Sequence, residues 1–134
     1  MTAGPEAAQI VVADDDLLFS SNLSASVARL GYRPVVVRSE AALQASLREG
    51  PCAVIVNLAA RGFDAAEAIR RIKGDETTRE IPLLGFCGHR DVERLRAAKT
   101  AGCDAVTTNG AVTADLPRLL NTLLDSTRPP AGTA

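Results

Sequence analysis

The chain has 134 residues, 46% hydrophobic and 23% charged, a composition typical of a globular protein with one full aliphatic core. Its formal net charge of −1 and its low aromatic content of 3% exclude a strong field or a broad stacking surface for nucleic acid. No apolar run approaches the roughly 20 residues of a membrane span. We therefore expect neither a nucleic acid nor a membrane among its partners.

The cysteine pattern and the two ends of the chain suggest its compartment and organisation. Cys52, Cys87 and Cys103 are widely spaced and odd in number, which favours a reducing compartment without a disulfide framework. The first residues lack the basic start and apolar segment of a signal peptide, so we expect a cytoplasmic protein. Glycine and proline near both ends predict a flexible head at 1–8, one domain at 9–126 and a flexible tail or linker at 127–134.

Strand and helix signals alternate five times along the chain. Apolar runs bounded by polar, glycine or proline residues predict strands at 9–13, 34–37, 52–57, 81–86 and 104–108. Apolar periodicity and capping residues predict helices at 17–30, 39–49, 64–74, 91–101 and 114–125. In the first helix, Phe19, Leu23, Val27 and Leu30 recur at helical spacing and predict the buried face.

Strands that alternate with helices predict right-handed crossovers and a parallel sheet covered on both faces. The expected class is a flavodoxin-like, three-layer α/β fold, with a five-stranded sheet in the order 2-1-3-4-5 and five helices. In that order the carboxyl ends of strands one and three are neighbours, so Asp14, Asp15 and Asn57 should meet at the ligand-binding edge. The simpler interpretation of the acidic run is that Asp15 or Asp16 only caps the following helix.

Several short motifs occur at matching places in this pattern: IVVADDD at 10–16, LGY at 30–32, IPLL at 81–84 and AGCDA at 101–105. With them, the chain from about 9 to 126 resembles the receiver domain of bacterial two-component response regulators, the CheY-like fold. None of these motifs is specific alone, but their order and spacing together are. The resemblance implies a signalling role, and in that family the chemistry is phosphoryl transfer to an aspartate.

The resemblance also shows where this chain departs from the family pattern. The retained part is the acidic pair, Asp14 and Asp15. The positions that differ are Asn57 for the phosphoacceptor aspartate, Cys87 for the Ser/Thr after strand four, Asn109 for the lysine after strand five, and Val106 for the aromatic switch residue.

These departures remove the phosphotransfer chemistry that the family uses. An amide is no nucleophile for forming an acyl phosphate, and a thiol is a weak hydrogen-bond donor. Losing one Asp and one Lys together leaves the formal pocket charge unchanged, so the pocket stays tolerable without phosphate. We therefore predict a degenerate receiver domain, or pseudo-receiver, that is not an enzyme and acts as a phosphorylation-independent protein–protein interaction module.

The retained acidic pocket leaves a second hypothesis open, a cation or small-ligand sensor. Asp15, the Asn57 side-chain oxygen and the Ala59 carbonyl, beside Asp14, are oxygen donors of the kind Mg²⁺ accepts. Without a phosphoryl group to bridge, we expect weak Mg²⁺ binding or none, and no required cofactor. The alternative is a hydrated acidic pocket with helix-capping duties.

The predicted fourth helix carries an excess of positive charge, from Arg90, Arg94, Arg96 and Lys99. The resemblance implies that helix four, strand five (with Val106) and helix five form the face for a signalling partner or a homodimer mate, although an ordinary solvated helix face explains the charges as well. A third hypothesis is redox sensing through Cys87. The alternative is that Cys87 is only a small side chain that fills the position where the family has a hydroxyl group.

Overall fold

The computed structural model describes residues 7–127, so the predicted head at 1–8 and tail at 127–134 fall almost wholly outside the described residues. The strands are β1 (Gln9–Ala13), β2 (Arg33–Val37), β3 (Ala53–Asn57), β4 (Leu83–Cys87) and β5 (Ala105–Thr108). The helices in this range are α1 (Leu17–Arg29), α2 (Glu40–Leu47), α3 (Ala65–Gly74), α4 (Val92–Ala101), α5 (Asn109–Ala114) and α6 (Leu116–Thr127). None of these helices is long and apolar enough to cross a membrane.

The five strands form one parallel sheet in the order β2-β1-β3-β4-β5, which confirms the predicted flavodoxin-like class. The register pairs Val12 with Ile55 across β1 and β3, and Asn57 with Phe86 across β3 and β4. All strands therefore end at the same edge, and the residues that follow β1 and β3 lie next to each other. This carboxyl edge contains the candidate site.

Side chains alternate across the sheet into two cores, one on each face. Val11 and Val54 point to the face covered by α2, α3 and α4, while Ile10 and Ile55 point to the face covered by α1 and α6. The central strands are buried on both faces because helices cover both sides of a parallel sheet. On the α1 side, Phe19 stacks on Phe86 with ring centroids 5.1 Å apart, so the carboxyl edge rests on a packed aromatic pair.

The last helical region differs from the prediction of one helix at 114–125. It divides into α5 and α6, because Thr108 caps α5 by accepting a hydrogen bond from the Ala111 amide at 3.1 Å and Asp115 interrupts the helical backbone. Pro117 then lies in the first turn of α6, where a missing amide hydrogen costs little. The described chain thus has six helices rather than five, and α6 takes the place of the predicted fifth.

Three smaller differences concern boundaries. The fourth strand begins at Leu83 instead of 81, since Pro82 has no amide to give to the ladder, and it extends one residue further to Cys87. Leu30, predicted on the buried face of the first helix, is the C-cap and is partly exposed. The second helix ends at Leu47, and a chain of turn hydrogen bonds continues to Gly50.

Candidate site at the carboxyl edge of the sheet

Asp14, directly after β1, and Asn57, the last residue of β3, are in contact at the carboxyl edge. The Asn57 amide Nδ2 donates to Asp14 Oδ1 at 2.9 Å, and the Asp16 backbone amide donates to the same oxygen at 3.0 Å. The Asn57 Oδ1 in turn accepts the Ala59 amide at 2.9 Å. These contacts require one orientation of the Asn57 amide, since the flipped amide would place its nitrogen against the Ala59 N–H.

Asp14 is fully buried, with none of its surface exposed. Its Oδ1 receives two hydrogen bonds, whereas Oδ2 has no hydrogen-bond partner. Burial raises the pKa of the Asp14 carboxyl, the hydrogen bonds from Asn57 and Asp16 lower it in part, and the charges of Asp16 and Asp15 raise it again. The Asp14 carboxyl is therefore harder to ionise in the folded protein than an ordinary aspartate.

Asp15 has different hydrogen-bond partners, which lie in the loop after β3. Its Oδ2 accepts the backbone amides of Arg61 at 2.9 Å and Gly62 at 2.7 Å. A Cβ at Gly62 would lie 2.7 Å from the Arg38 carbonyl oxygen and 3.4 Å from Asp15 Oδ2, so only glycine fits this close approach. This contact was not predicted from the sequence, because it depends on the path of the loop after β3 and not on the strand order.

The acidic run also caps a helix, as one of the sequence interpretations predicted. Asp16, rather than Asp15, is the N-cap of α1, and its side chain accepts the Phe19 amide at 2.9 Å. Each of the three carboxylates therefore has its own role: Asp14 bonds Asn57, Asp15 bonds the loop after β3, and Asp16 caps α1.

Cys87 ends β4 with almost no exposed surface, and its thiol donates a weak hydrogen bond to the Asp91 carbonyl at 3.8 Å. Burial raises the pKa of this thiol, the charge of Asp91 adds to the rise, and Arg94 partly offsets it. A reactive cysteine needs the opposite, an exposed sulfur with a lowered pKa. The geometry fits a small side chain that fills space, and it gives the redox hypothesis no support.

Asn109, the first residue of α5, lies on the far side of an open cavity of about 360 Å³ at this edge. The cavity is lined by Asp15, Asp16, Phe19, Asn57, Ala59, Arg61, Phe86 and Asn109. The structure thus gathers Asp15, Asn57, Ala59 and Asn109 around one opening, while Asp14 and Cys87 lie buried beneath or beside it.

The proposed magnesium ligands do not point their oxygens at one spot in this arrangement. Asn57 turns its nitrogen towards Asp14 and its oxygen towards the Ala59 amide, and Asp15 Oδ2 already bonds two amides. Within the described residues, no group of three His, Cys, Asp or Glu side chains could hold a metal ion. A cation would have to displace these hydrogen bonds in order to gather oxygen ligands.

The predicted partner face is basic and exposed. On α4, Arg94 pairs with Asp91, and Arg96 pairs with Glu93 at 3.4 Å, both one turn apart. Arg90 and Lys99 are exposed and form no ion pair with a described residue. Val106 lies half-buried on β5, so the face combines free positive charge with some apolar surface.

Three exposed apolar side chains were missed by the sequence interpretation. Val92, on the first turn of α4, is 54% exposed and extends the basic face with an apolar contact. Leu17 and Leu18, at the start of α1 beside the acidic edge, are 69% and 73% exposed. Apolar residues in the first turn of a helix look like core positions in a sequence, and only the packing shows that nothing covers them.

No protein-family description and no curated protein matches this sequence. Solved structures do match. A candidate response regulator from Chloroflexus aurantiacus superposes with a TM-score of 0.81 at 21% identity, covering 90% of this chain and 99% of that one. The receiver domain of a sensor histidine kinase from Pseudomonas aeruginosa, with a magnesium ion coordinated in its active-site cleft, gives 0.79 at 20% identity, covering 89% and 98%.

A longer protein, NtrX from Brucella abortus, matches with a TM-score of 0.81 at 18% identity, covering 90% of this chain but only 27% of that one. This chain therefore spans about a quarter of the length of NtrX. Identities of about one fifth establish the fold alone. The fold is the one seen in these response-regulator and receiver-domain structures.

Proposed function

We propose that this chain is an atypical receiver domain that signals through protein–protein contact without phosphorylation on aspartate. The observation that carries the proposal is Asn57, which occupies the end of β3 beside the acidic pair and bonds Asp14 through its nitrogen. In the receiver fold this position is the phosphoacceptor. An amide oxygen there is neutral, and it already accepts a hydrogen bond from the Ala59 amide.

The rest of the site supports the same conclusion. Stabilising a transferred phosphoryl group needs cations and strong donors around it. Here Asn109 stands after β5, and the side chain at the end of β4 is the buried Cys87 thiol, a weak donor that already bonds the Asp91 carbonyl. The lining of the opening contains one basic residue, Arg61. Because the acceptor, the donor and the lysine are absent together, we infer that the module is not an enzyme and forms no phosphoaspartate at this position.

We propose that Mg²⁺ binds weakly at most. The Asn57–Asp14 hydrogen bond supplies Asp14 with a donor where a receiver pocket would use a cation. Magnesium would need to break this bond, turn the Asn57 oxygen inward and compete with the Arg61 and Gly62 amides at Asp15. A second candidate function, a cation or small-ligand sensor, draws its support from the unpartnered Asp14 Oδ2, which a bound group with a donor or charge could satisfy.

The partner surface that we propose is the face formed by α4, β5 and α6. Arg90 and Lys99 supply charge that is not paired with any described residue, and Val92 supplies an exposed apolar side chain on the same helix region. Such a surface suits a protein that presents carboxylates around an apolar centre, or a second copy of this chain. Because this face requires no change at Asn57, it is available whether or not a phosphodonor is present.

The direct chemical test is incubation of the whole chain with acetyl phosphate and Mg²⁺, followed by intact-mass spectrometry. We expect no phosphoryl adduct under conditions that label an ordinary receiver domain, which serves as the control for the reagent. A stoichiometric, hydroxylamine-labile adduct would show that an aspartate accepts the phosphoryl group and would overturn the proposal. The variant Asp15→Ala would then tell whether the retained acid is that acceptor.

A further inference from the structure

A second cavity, of about 460 Å³, opens between the loop after β3 and helix α4. Cavities of roughly 300–1,000 Å³ are the size of small-molecule sites, and this one is too large for a single partner side chain. Its lining shares Arg61 with the opening at the acidic edge and Arg94 with the proposed partner face.

The inner walls of this cavity are apolar and well fixed. Leu58 and Phe63 come from the loop, and both are buried. Leu58 packs directly over Gly85 of β4, where an added Cβ would come within 2.8 Å of the leucine side chain. The remaining space exists because the facing positions on α3 and α4 carry only methyl groups, at Ala65, Ala66, Ala97 and Ala98.

The lining of the cavity also contains two arginines and one acid. Arg94 projects from α4 and pairs with Asp91, and Arg61 projects from the loop and forms no ion pair with a described residue. The one acid in the lining, Asp64, already accepts the Glu67 amide as the cap of α3. Guanidinium groups bind carboxylates in planar, paired hydrogen bonds, and the lining has a net charge of +1.

We propose that this cavity binds a small organic anion, a carboxylate on a short aliphatic body, with Arg61 and Arg94 at the charge and Leu58, Phe63 and the alanines around the body. The proposal goes beyond the signalling role and does not depend on it. It adds a link between the two sites, because the Asp15 hydrogen bonds to Arg61 and Gly62 position the loop that carries one of the two cations. A ligand here would lie beside α4 and could adjust the partner face.

The test is an amide ¹H–¹⁵N titration of the whole chain with hexanoate, compared with hexanamide and acetate. Hexanamide keeps the body and lacks the charge, while acetate keeps the charge and lacks the body. We expect saturable shifts at Gly62, Ala66 and Ala97 with hexanoate only, with a dissociation constant on the order of 1 mM for so small a ligand.

Three variants locate the binding. Arg61→Gln should weaken hexanoate about tenfold or more by removing the unpaired guanidinium. Ala97→Leu, at an exposed position where the fold tolerates a larger side chain, should block the cavity. The control for Arg61→Gln is Arg96→Gln, which removes the same charge on α4 but outside the cavity, and it should leave the affinity for hexanoate unchanged. The proposal is overturned if hexanoate gives no saturable shift, if hexanamide or acetate binds equally well, or if Arg61→Gln and Arg96→Gln behave alike.

Discussion

At the scale of single residues, the burial of Asp14 is the most informative feature of the site. A carboxylate with no exposed surface and two acidic neighbours is costly to keep ionised. The Asn57 amide and the Asp16 backbone N–H satisfy one oxygen only. The free-energy cost of ionising a buried carboxyl explains why the pKa of Asp14 is raised, and it makes the stability of the fold depend on pH.

Folding raises the pKa of the Asp14 carboxyl above its usual 3.8. Protonated Asp14 therefore stabilises the fold fully below pH 3.8, and this contribution is lost as the pH rises through the pKa of the folded state. We expect Asp14→Asn to raise the free energy of unfolding at pH 7 by about 1 kcal/mol, since it removes a buried charge and keeps the oxygen that Asn57 and Asp16 bond. The gain should shrink towards pH 3. Urea unfolding at several pH values measures both effects.

The control for this variant is Asp16→Asn, which removes the same charge at an exposed position and keeps a good helix cap. It should change the stability at pH 7 by much less than Asp14→Asn does. A lower stability of Asp14→Asn than of the native chain at pH 7 would mean that the carboxylate is held ionised by a partner outside this account.

At the scale of elements, the loop between β3 and α3 joins the two cavities. One carboxylate, Asp15, holds two consecutive amides of this loop, and Gly62 fits between that carboxylate and the Arg38 carbonyl. The loop position is therefore fixed by a steric condition at a single residue. Its Arg61 side chain lines both cavities, so a change in the loop should affect both sites.

We expect Gly62→Ala to destabilise the fold by about 1–3 kcal/mol, because the new methyl group would overlap the Arg38 carbonyl oxygen and push the loop away from Asp15. The matched control is Gly88→Ala, where a Cβ meets nothing within 4 Å. Urea unfolding of both variants decides the point. Equal stabilities would show that the loop moves aside at no cost and is not fixed by Gly62.

The elements themselves were largely predictable, and the exceptions have physical causes. The strand order, both faces of the core and the meeting of Asp14 with Asn57 follow from alternation and apolar runs. The division of the last helix was missed because it depends on the Thr108 cap and on Asp115, which read as ordinary polar residues.

Contacts that do not follow from the strand order could not be predicted in the same way. The Gly62 approach is one example, and the ion pair of Lys73 with Asp104 is another, with 2.7 Å between Nζ and Oδ2. Lys73 also donates to the Arg79 and Ile81 carbonyls, and Asp104 accepts the Leu83 amide, so the pair joins α3, β4 and β5 at the edge opposite the site. Neither residue carries a local signal for these partners.

At the scale of the whole molecule, the fold brings together an acidic carboxyl edge, a basic α4 face and a cavity lined by residues of the loop after β3, α3 and α4. We propose that this edge is chemically silent towards phosphate and that the exposed face carries the signalling contact. The pocket should therefore not respond when a phosphoryl mimic is offered.

The most direct measurement is an amide ¹H–¹⁵N spectrum of the whole chain, titrated first with Mg²⁺ and then with beryllofluoride, a phosphoryl mimic. We predict no saturable shifts around Asp15, Asn57 and Cys87 in either step, and none in α4. Saturable shifts with Mg²⁺ alone that Asp15→Ala abolishes would favour the cation sensor. Shifts that require beryllofluoride and spread from Asn57 to α4 would show that the phosphoryl switch still works and would contradict the account.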